Sequence, residues 1–155
     1  EDLCGHAVNV DDRVRAVVAD AGALPFAAAS IDLIISSEML EHLPQPECAI
    51  QELARVVSPG GVVVLTTPNR RWLWLVNLAT RIGLRPFGGY ENFLEFDELQ
   101  RLLSKYGFLV EKHCGFHPWP FQIAFLRPLS RYIDRHYGSS RWGAHMINQA
   151  VRARP

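Results

Sequence analysis

Cysteine and long apolar runs are scarce in this chain of 155 residues. The three cysteines, Cys4, Cys48 and Cys114, are too scattered for a disulfide framework, and none has the spacing of a zinc site. The longest apolar runs, Trp72–Ala79 and Trp119–Leu126, fall well short of the roughly 20 residues that span a bilayer. These absences exclude a disulfide-rich secreted protein and a transmembrane helix, and they favour a cytoplasmic location.

Charge is balanced overall but unevenly distributed. Residues 1–66 carry ten acidic and three basic side chains, and residues 67–155 carry six acidic and thirteen basic ones, a net of +7. Such an excess either marks an anionic partner or forms a solvated basic face, and the solvated face is the commoner case. The composition, 48% hydrophobic and 21% charged, is that of one globular domain. Because the first residue is Glu1 and no apolar segment follows it, we expect a truncated or processed chain without a secretory signal.

The first 69 residues alternate between strand and helix patterns. Runs rich in β-branched residues at Val14–Ala19, Ile31–Ser36 and Val62–Leu65 predict buried strands. Between the last two, Pro46–Val57 has apolar residues at helical spacing and a proline suited to the first turn. Strand, helix and strand joined by short loops predict a parallel α/β sheet.

The second half combines further elements with two insertions rich in aromatic residues. We expect an amphipathic helix within Arg70–Phe87, a helix from Asp97 to a C-cap at Gly107, and strands at Phe108–His113 and Met146–Ala153. In this single partial domain, residues 1–69 form the α/β core, 70–92 and 114–145 are insertions that cover one end of the sheet, and 93–113 and 146–155 are the C-terminal helix and strands.

Five runs of the chain follow one another in a recognisable order and spacing. They are Val17–Ala21, Leu24–Phe26, Ile31–Ile34, Glu38–Pro44 and Ala54–Gly61. Together they resemble class I S-adenosylmethionine-dependent methyltransferases of the small-molecule type. The Glu-Met-Leu-Glu-His run and the strand end Thr67–Asn69 are similar to those of the ubiquinone-biosynthesis O-methyltransferases. The resemblance implies a Rossmann-like α/β fold, S-adenosylmethionine as methyl donor and transfer to an oxygen atom.

The family's cofactor motif is missing from these 155 residues. Members hold the cofactor on a first strand followed by a GxGxG turn and on an acidic residue of the second strand, and neither feature is present. The resemblance therefore implies a methyltransferase sheet that lacks its first strands. Val14–Ala19 would then lack a neighbour, and Ile31–Ser36 would form an exposed apolar edge. We expect the chain by itself to be marginally stable or to associate.

The resemblance assigns cofactor contacts to five residues. Asp20 would accept a hydrogen bond from the adenine amino group, and Ala21 would offer its backbone N–H to the ring. Ser36 and Ser37 end the next strand and Glu38 follows them, at the edge where ligands bind in open α/β sheets. A capping role for Asp20 and a simple turn role for the serines are the structural alternatives.

Glu38, Glu41 and His42 form the sharpest constellation, since residues at i, i+3 and i+4 share one helix face. Related O-methyltransferases with a similar run use a divalent cation there, together with a later histidine that this sequence lacks. Glu91 would be the substitute ligand, with magnesium favoured by oxygen donors. Alternatively, His42 alone is the catalytic general base, or Glu41 and His42 only pack and cap the loop.

The insertions suit a small-molecule or lipid-like acceptor that carries a negative group, but a lid, a homo-oligomer interface or a membrane-surface helix would use the same residues. No module for sequence-specific nucleic-acid binding is present. The alternative function is a noncatalytic, degenerate methyltransferase domain that acts as a partner or regulatory subunit; a nicotinamide-dependent Rossmann enzyme has little support. The insertion residues are Trp72, Trp74, Phe87, Trp119, Phe121, Phe125, Arg70, Arg71, Arg81 and Arg85.

Overall fold

A computed structural model describes residues 13, 15–83, 85, 89–118, 126–139 and 142–155. Within them the chain forms four strands and four α-helices, together with short 3-10 turns at Leu40–His42, Arg70–Trp72 and Gly143–His145. The strands are β1 (Ile31–Ser37), β2 (Val57–Pro68), β3 (Leu109–Phe116) and β4 (Asn148–Arg154). The helices are α1 (Pro46–Val56), α2 (Leu73–Arg81), α3 (Phe96–Lys105) and α4 (Arg127–Tyr137).

The unit β1–α1–β2 matches the expected strand, helix and strand. Pro46 occupies the first turn of α1, and the apolar residues Ala49, Ile50, Leu53 and Val56 are buried on one face of the helix. This face packs on the sheet, so α1 carries the chain back to begin β2 alongside β1. The two strands pair in parallel, as predicted.

The complete sheet is mixed rather than parallel. Its order is β1-β2-β4-β3, and β4 is antiparallel to both of its neighbours. The chain leaves β3 at the same end of the sheet where β4 begins, so the connection needs no crossover of a sheet face. Strands β1, β2 and β3 consequently share one carboxyl end, and β4 starts there.

The core lies on one face of this sheet. Along β2, Val63, Leu65 and Thr67 are buried while the alternating residues are half-buried, the pattern of a strand with one fully covered face. Helices α1 and α3 cover that face, with Ile50, Leu99 and other apolar side chains in contact with it. The covered face holds β1 and β2 in register, which fixes where their carboxyl ends lie.

The strand expected at Val14–Ala19 is wrong for residues 15–19, and Val14 lies outside the described residues. The backbone there is irregular, with Val17 and Val18 55% and 87% exposed. A strand needs a ladder partner, and in the described sheet β1 pairs only with β2. The apolar run therefore has no strand beside it with which to pair.

The C-terminal elements were predicted with shifted ends. Helix α3 starts at Phe96 rather than with Asp97 as its cap, because the Glu95 N–H donates to the Glu98 carboxylate (3.2 Å) in a capping-box arrangement. Gly107 follows the helix with a φ of +83°, as expected of a glycine at this position. Met146 belongs to a turn before β4, since its N–H donates to the Gly143 carbonyl.

The expected insertions contain α2 and α4. The predicted helix within residues 70–87 is observed as a 3-10 turn followed by the shorter α2, and Phe87 lies outside the described residues. Among residues 15–83, 89–118, 126–139 and 142–155, no helix is long and apolar enough to cross a bilayer.

We predict that the chain by itself is marginally stable or self-associates through β1. Leu33 and Ile35, on the face of β1 away from the core, are 56% and 69% exposed, and in the described sheet the outer edge of β1 is unpaired. Leu33→Lys with Ile35→Lys should reduce association, because charge on an edge strand opposes pairing. Sedimentation velocity over a concentration series measures this, with Leu109→Lys, an exposed leucine on the opposite edge strand, as the control. A monomer with a sharp unfolding transition well above room temperature would contradict the prediction.

Candidate active site

The carboxyl end of β1, beside that of β2, carries three of the five expected cofactor-contacting residues, Ser36, Ser37 and Glu38. Ser37 pairs with Thr66 across the two strands, and their hydroxyl oxygens are 3.1 Å apart. The N–H of Glu38 donates to the Thr66 carbonyl at 3.0 Å, which extends the ladder by one bond. Ser36 is buried, whereas Ser37 and Glu38 are exposed, so only the last two present side chains to a ligand.

Glu38 turns the chain out of β1. Its φ is +50°, in the left-handed region that residues other than glycine seldom adopt. The Leu40–His42 turn follows directly, and it places two neighbouring side chains in opposite environments. Glu41 is directed toward the sheet, and His42 is exposed.

Glu41 is buried, with 2% of its surface exposed. The Thr67 hydroxyl donates to its carboxylate at 3.0 Å, and the Asn92 N–H donates to its carbonyl at 2.6 Å. Burial raises the pKa of the Glu41 carboxyl above its ordinary value of 4.5, and the hydrogen bonds it accepts only partly oppose that rise. Glu41 thereby ties the turn to β2 on one side and to the loop before α3 on the other.

His42 lies on the exposed side of the same turn. Its Nδ1 is 3.4 Å from the Tyr90 carbonyl oxygen, so the 90–92 loop orients the imidazole. A proton on Nδ1 satisfies that carbonyl and leaves Nε2 as an acceptor. The geometry is that of an exposed base beside the strand ends.

The residues present do not fit the divalent cation site suggested by the sequence. In the described part of the chain, no three His, Cys, Asp or Glu side chains are grouped to hold a metal. The expected helix face does not form, because Glu38 precedes a turn of only three residues and Glu41 is directed to Thr67. Glu91 is bound by both terminal nitrogens of Arg85, at 2.6 and 2.8 Å.

Asp20 and Ala21 lie in a separate turn before β1. The Asp20 carboxylate accepts the Gly22 N–H at 2.8 Å, and its carbonyl accepts the Ala23 N–H at 3.0 Å. Asp20 is exposed, with room for a second acceptor interaction on its other oxygen, while Ala21 packs against the core. The capping role is therefore present, and the carboxylate remains accessible.

Sequence reasoning missed the pair that anchors this turn. Glu52 and Arg55 lie one helical turn apart on α1 and form an ion pair at 2.7 Å. Glu52 accepts the Leu24 N–H, and Arg55 donates to the carbonyls of Leu24 and Phe26, so the pair fastens the loop to α1. The Arg55 guanidinium and the Leu24 N–H lower the pKa of Glu52 to about 2. The i, i+3 spacing of opposite charges was the available signal.

An apolar recess lies at the same end of the sheet, beyond β3 and β4. It has a volume of about 370 Å³, and its lining contains two titratable side chains, those of Tyr137 and His145. The Trp72 indole N–H donates to the His145 carbonyl at 3.0 Å, which joins the start of the α2 region to this recess. The lining residues are Pro118, Ile133, Tyr137, Trp142, His145 and Met146.

Comparison with known proteins agrees with this geometry. The model of the family described as "Methyltransferase domain" matches residues 2–65, which include β1, α1 and most of β2. "Probable S-adenosylmethionine-dependent methyltransferase Rv3030" of Mycobacterium tuberculosis (strain H37Rv) is 29% identical over 153 residues, 99% of this chain and 51% of that protein. The solved structure of an S-adenosylmethionine-dependent methyltransferase from Mesorhizobium loti superposes with a TM-score of 0.71, 19% identity and coverage of 100% of this chain and 76% of that one.

The chain carries a methyltransferase domain of the S-adenosylmethionine-dependent type, and its fold is that of the class I members. A ubiquinone biosynthesis O-methyltransferase of Azoarcus (strain BH72) is also similar, 30% identical over 136 residues, which are 84% of this chain and 56% of that protein. The chain thus spans about half the length of the curated relatives it matches. The ends of β1 and β2 lie at the edge where ligands bind in open α/β sheets, which is where we predict one side of a cofactor site.

The shifted pKa values of Glu41 and Glu52 predict opposite effects of pH on folding stability. Because the folded-state pKa of Glu41 is raised, stability relative to Glu41→Gln should fall as the pH rises from 4.5 through the raised pKa. Because the folded-state pKa of Glu52 is about 2, its contribution relative to Glu52→Gln should be full above pH 4.5 and lost as the pH falls through about 2. Urea unfolding of the three proteins across this pH range tests both, and two differences of the same sign would contradict the assignment.

Proposed function

We propose that the full-length protein transfers a methyl group from S-adenosylmethionine to an oxygen atom of a small or lipid-like acceptor. The observation that carries this proposal is the position of an exposed histidine, His42, one turn beyond the strand end that holds Ser37 and Glu38. Strand ends of this kind bind ligands in open α/β sheets, and a base beside them is placed to act on an acceptor.

The cofactor contacts follow from the accessible polar groups. Ser37 and Glu38 present side chains to the methionine half, and the free oxygen of Asp20 accepts the adenine amino group. Ala21 offers its backbone N–H to the ring. In the family, the residues that correspond to these groups come after the glycine-rich turn in the sequence.

The reaction asks the protein for alignment and for removal of one proton. S-adenosylmethionine, when bound, would supply a methyl group activated by its sulfonium, so that a carbon–oxygen bond to the acceptor would replace the carbon–sulfur bond and S-adenosylhomocysteine would leave. His42 accepts the hydroxyl proton on Nε2 while its Nδ1 side remains held by the Tyr90 carbonyl. Because the described residues do not fit a metal site, no step is assigned to magnesium.

The recess beyond β3 and β4 supports an acceptor with an apolar part. Its aromatic and aliphatic lining would bury an apolar ring or chain, and it lies at the same end of the sheet as His42. Two arginines that the sequence offered for a negative group are already paired, Arg70 with Glu98 at 2.9 Å and Arg85 with Glu91 at 2.6 Å. The recess therefore supports an apolar acceptor better than a strongly anionic one. The similarity to ubiquinone biosynthesis O-methyltransferases supports transfer to oxygen.

The proposal is tested on the full-length protein with methyl-labelled S-adenosylmethionine and two acceptors, a simple phenol and a prenylated phenol. Labelled phenol ether from either acceptor is the expected product, and the prenylated one should have the lower KM. Cofactor binding is measured in parallel. A protein that neither binds the cofactor nor transfers the methyl group would refute the proposal and favour the noncatalytic partner domain.

Replacement of His42 should lower turnover without weakening cofactor binding. We expect His42→Gln to reduce kcat by about 10²- to 10⁴-fold, the usual contribution of a general base, with the cofactor Kd unchanged. His136→Gln, an exposed histidine on α4, is the matched control and should retain full activity. Equal losses in the two variants, or a loss confined to cofactor affinity, would contradict the role of His42.

Replacement of Asp20 should weaken cofactor binding rather than turnover. Asp20→Asn keeps an oxygen for the Gly22 N–H but places a donor where the adenine amino group needs an acceptor. We expect the cofactor Kd to rise by about tenfold or more with little change in kcat. Asp32→Asn, which removes an exposed carboxylate near the start of β1, should leave the Kd unchanged, and a shift of equal size there would contradict the assignment.

A further inference from the structure

Helix α4 is held on the sheet by one side only, and none of its residues is buried. The Asp134 carboxylate accepts the His117 N–H at 3.0 Å, and the Gly138 carbonyl, just after the helix, accepts the Gly115 N–H at 2.9 Å. A Cβ atom on Gly138 would lie 2.6 Å from the Gly115 carbonyl oxygen, so the two backbones are in direct contact. These contacts fix which side of α4 faces the solvent.

Three arginines form a row on the solvent side. Arg127, Arg131 and Arg135 recur every four residues and are exposed, and the described residues give them no hydrogen-bond or ion-pair partner. Asp134, the acidic residue of this helix, is turned to His117. The row is therefore an uncompensated strip of positive charge a little over two helical turns long.

Apolar side chains lie beside this row rather than beneath the helix. Successive residues of an α-helix are about 100° apart around its axis. Tyr132 and Leu129 therefore lie between the arginine row and the side of the helix that faces the sheet. They are 55% and 48% exposed, and Tyr132 stacks on His136 with ring centroids 4.2 Å apart. A basic strip next to an exposed apolar strip is typical of a helix that lies in a membrane interface.

Helix α2 exposes a second apolar row at the same end of the sheet. Trp74 and Leu78, with Ile82 just after the helix, recur every four residues and are between 46% and 64% exposed. Backbone bonds from Asn69 to Ile147 and from Ile147 to His117 join the segments that lead to α2 and α4. Both helices thus follow segments that leave the sheet at the end that carries the candidate active site.

We propose that this end of the protein binds the surface of an anionic lipid bilayer, with the arginine row of α4 on the headgroup phosphates and Leu129 and Tyr132 at the boundary of the acyl chains. Charge complementarity selects this partner: a second copy docked by the same face through a two-fold axis would bring arginine rows together. A single-stranded nucleic acid would need aromatic side chains arranged for base stacking along a basic groove, and α4 presents a convex helix.

The test is flotation of the full-length protein with vesicles of phosphatidylcholine alone or mixed with phosphatidylglycerol, without cofactor or acceptor. Flotation separates bound protein from self-associated protein, which sediments. We expect binding to the anionic vesicles only, weakened by high salt. Arg127→Gln with Arg131→Gln and Arg135→Gln should lower the partition coefficient by on the order of 100-fold, at about 1 kcal/mol per arginine.

The matched control removes three exposed positive charges elsewhere, with Arg15→Gln, Arg101→Gln and Lys112→Gln, and should retain most of the binding. Leu129→Gln with Tyr132→Gln should weaken binding while preserving its salt dependence. Circular dichroism verifies that each variant is folded. Equal binding to neutral vesicles, equal losses in the two triple variants, or binding to single-stranded RNA without flotation would overturn the proposal. None of these outcomes depends on methyl transfer.

Discussion

The carboxyl end of β2 is the constraint on which the remainder of the site depends. β2 is paired on both sides, in parallel with β1 and antiparallel with β4, so its end cannot move without breaking two ladders. Thr67 and Asn69 are buried there, and each bonds a segment distant in the sequence: Thr67 holds Glu41, and the Asn69 amide donates to the Ala144 carbonyl at 2.9 Å. Loops from both halves of the chain are thereby fastened to one strand end.

Strand β4, beside β2, also carries a buried polar residue that bonds a distant loop. Gln149, which pairs with Thr67 across β2 and β4, is fully buried; its amide N–H donates to the Leu94 carbonyl at 2.8 Å, and its oxygen is 3.0 Å from His113 Nε2. Burial lowers the pKa of His113, which stacks on Phe96 at the start of α3. Buried polar groups are stable only when they are hydrogen-bonded, so this row specifies the loop positions more strictly than apolar packing would.

Local signals predicted the elements whose stability is local or whose partners are close in sequence. Pro46 and the apolar period gave α1, the unbroken Ile31–Ser36 run gave β1, and Gly107 marked the end of α3. The strand predicted at residues 15–19 is wrong, because a strand depends on its neighbours as well as on its own β-branched residues. The resemblance implied that this run would lack a neighbour, and the irregular backbone there agrees with that expectation.

The sequence indicated the position of the candidate site at a strand end better than the directions of its side chains. Ser37 and His42 are exposed at and just beyond the end of β1, and their assigned roles stay predictions. Spacing alone suggested that Glu41 and His42 would converge. A three-residue turn after the positive φ of Glu38 directs one to the sheet and the other to the solvent. The roles of Asn69 and Gln149 depend on contacts more than 50 residues away, which no pattern in the sequence reports.

If the ends of β1 and β2 bind the methionine half of S-adenosylmethionine, the bound ligand will protect the backbone there from exchange with solvent. Hydrogen exchange of the full-length protein is measured with and without S-adenosylhomocysteine. We expect slower exchange of the backbone amides of residues 36–42 and 66–69 when the ligand is saturating. Saturable binding without any slowing in these two segments would contradict this expectation.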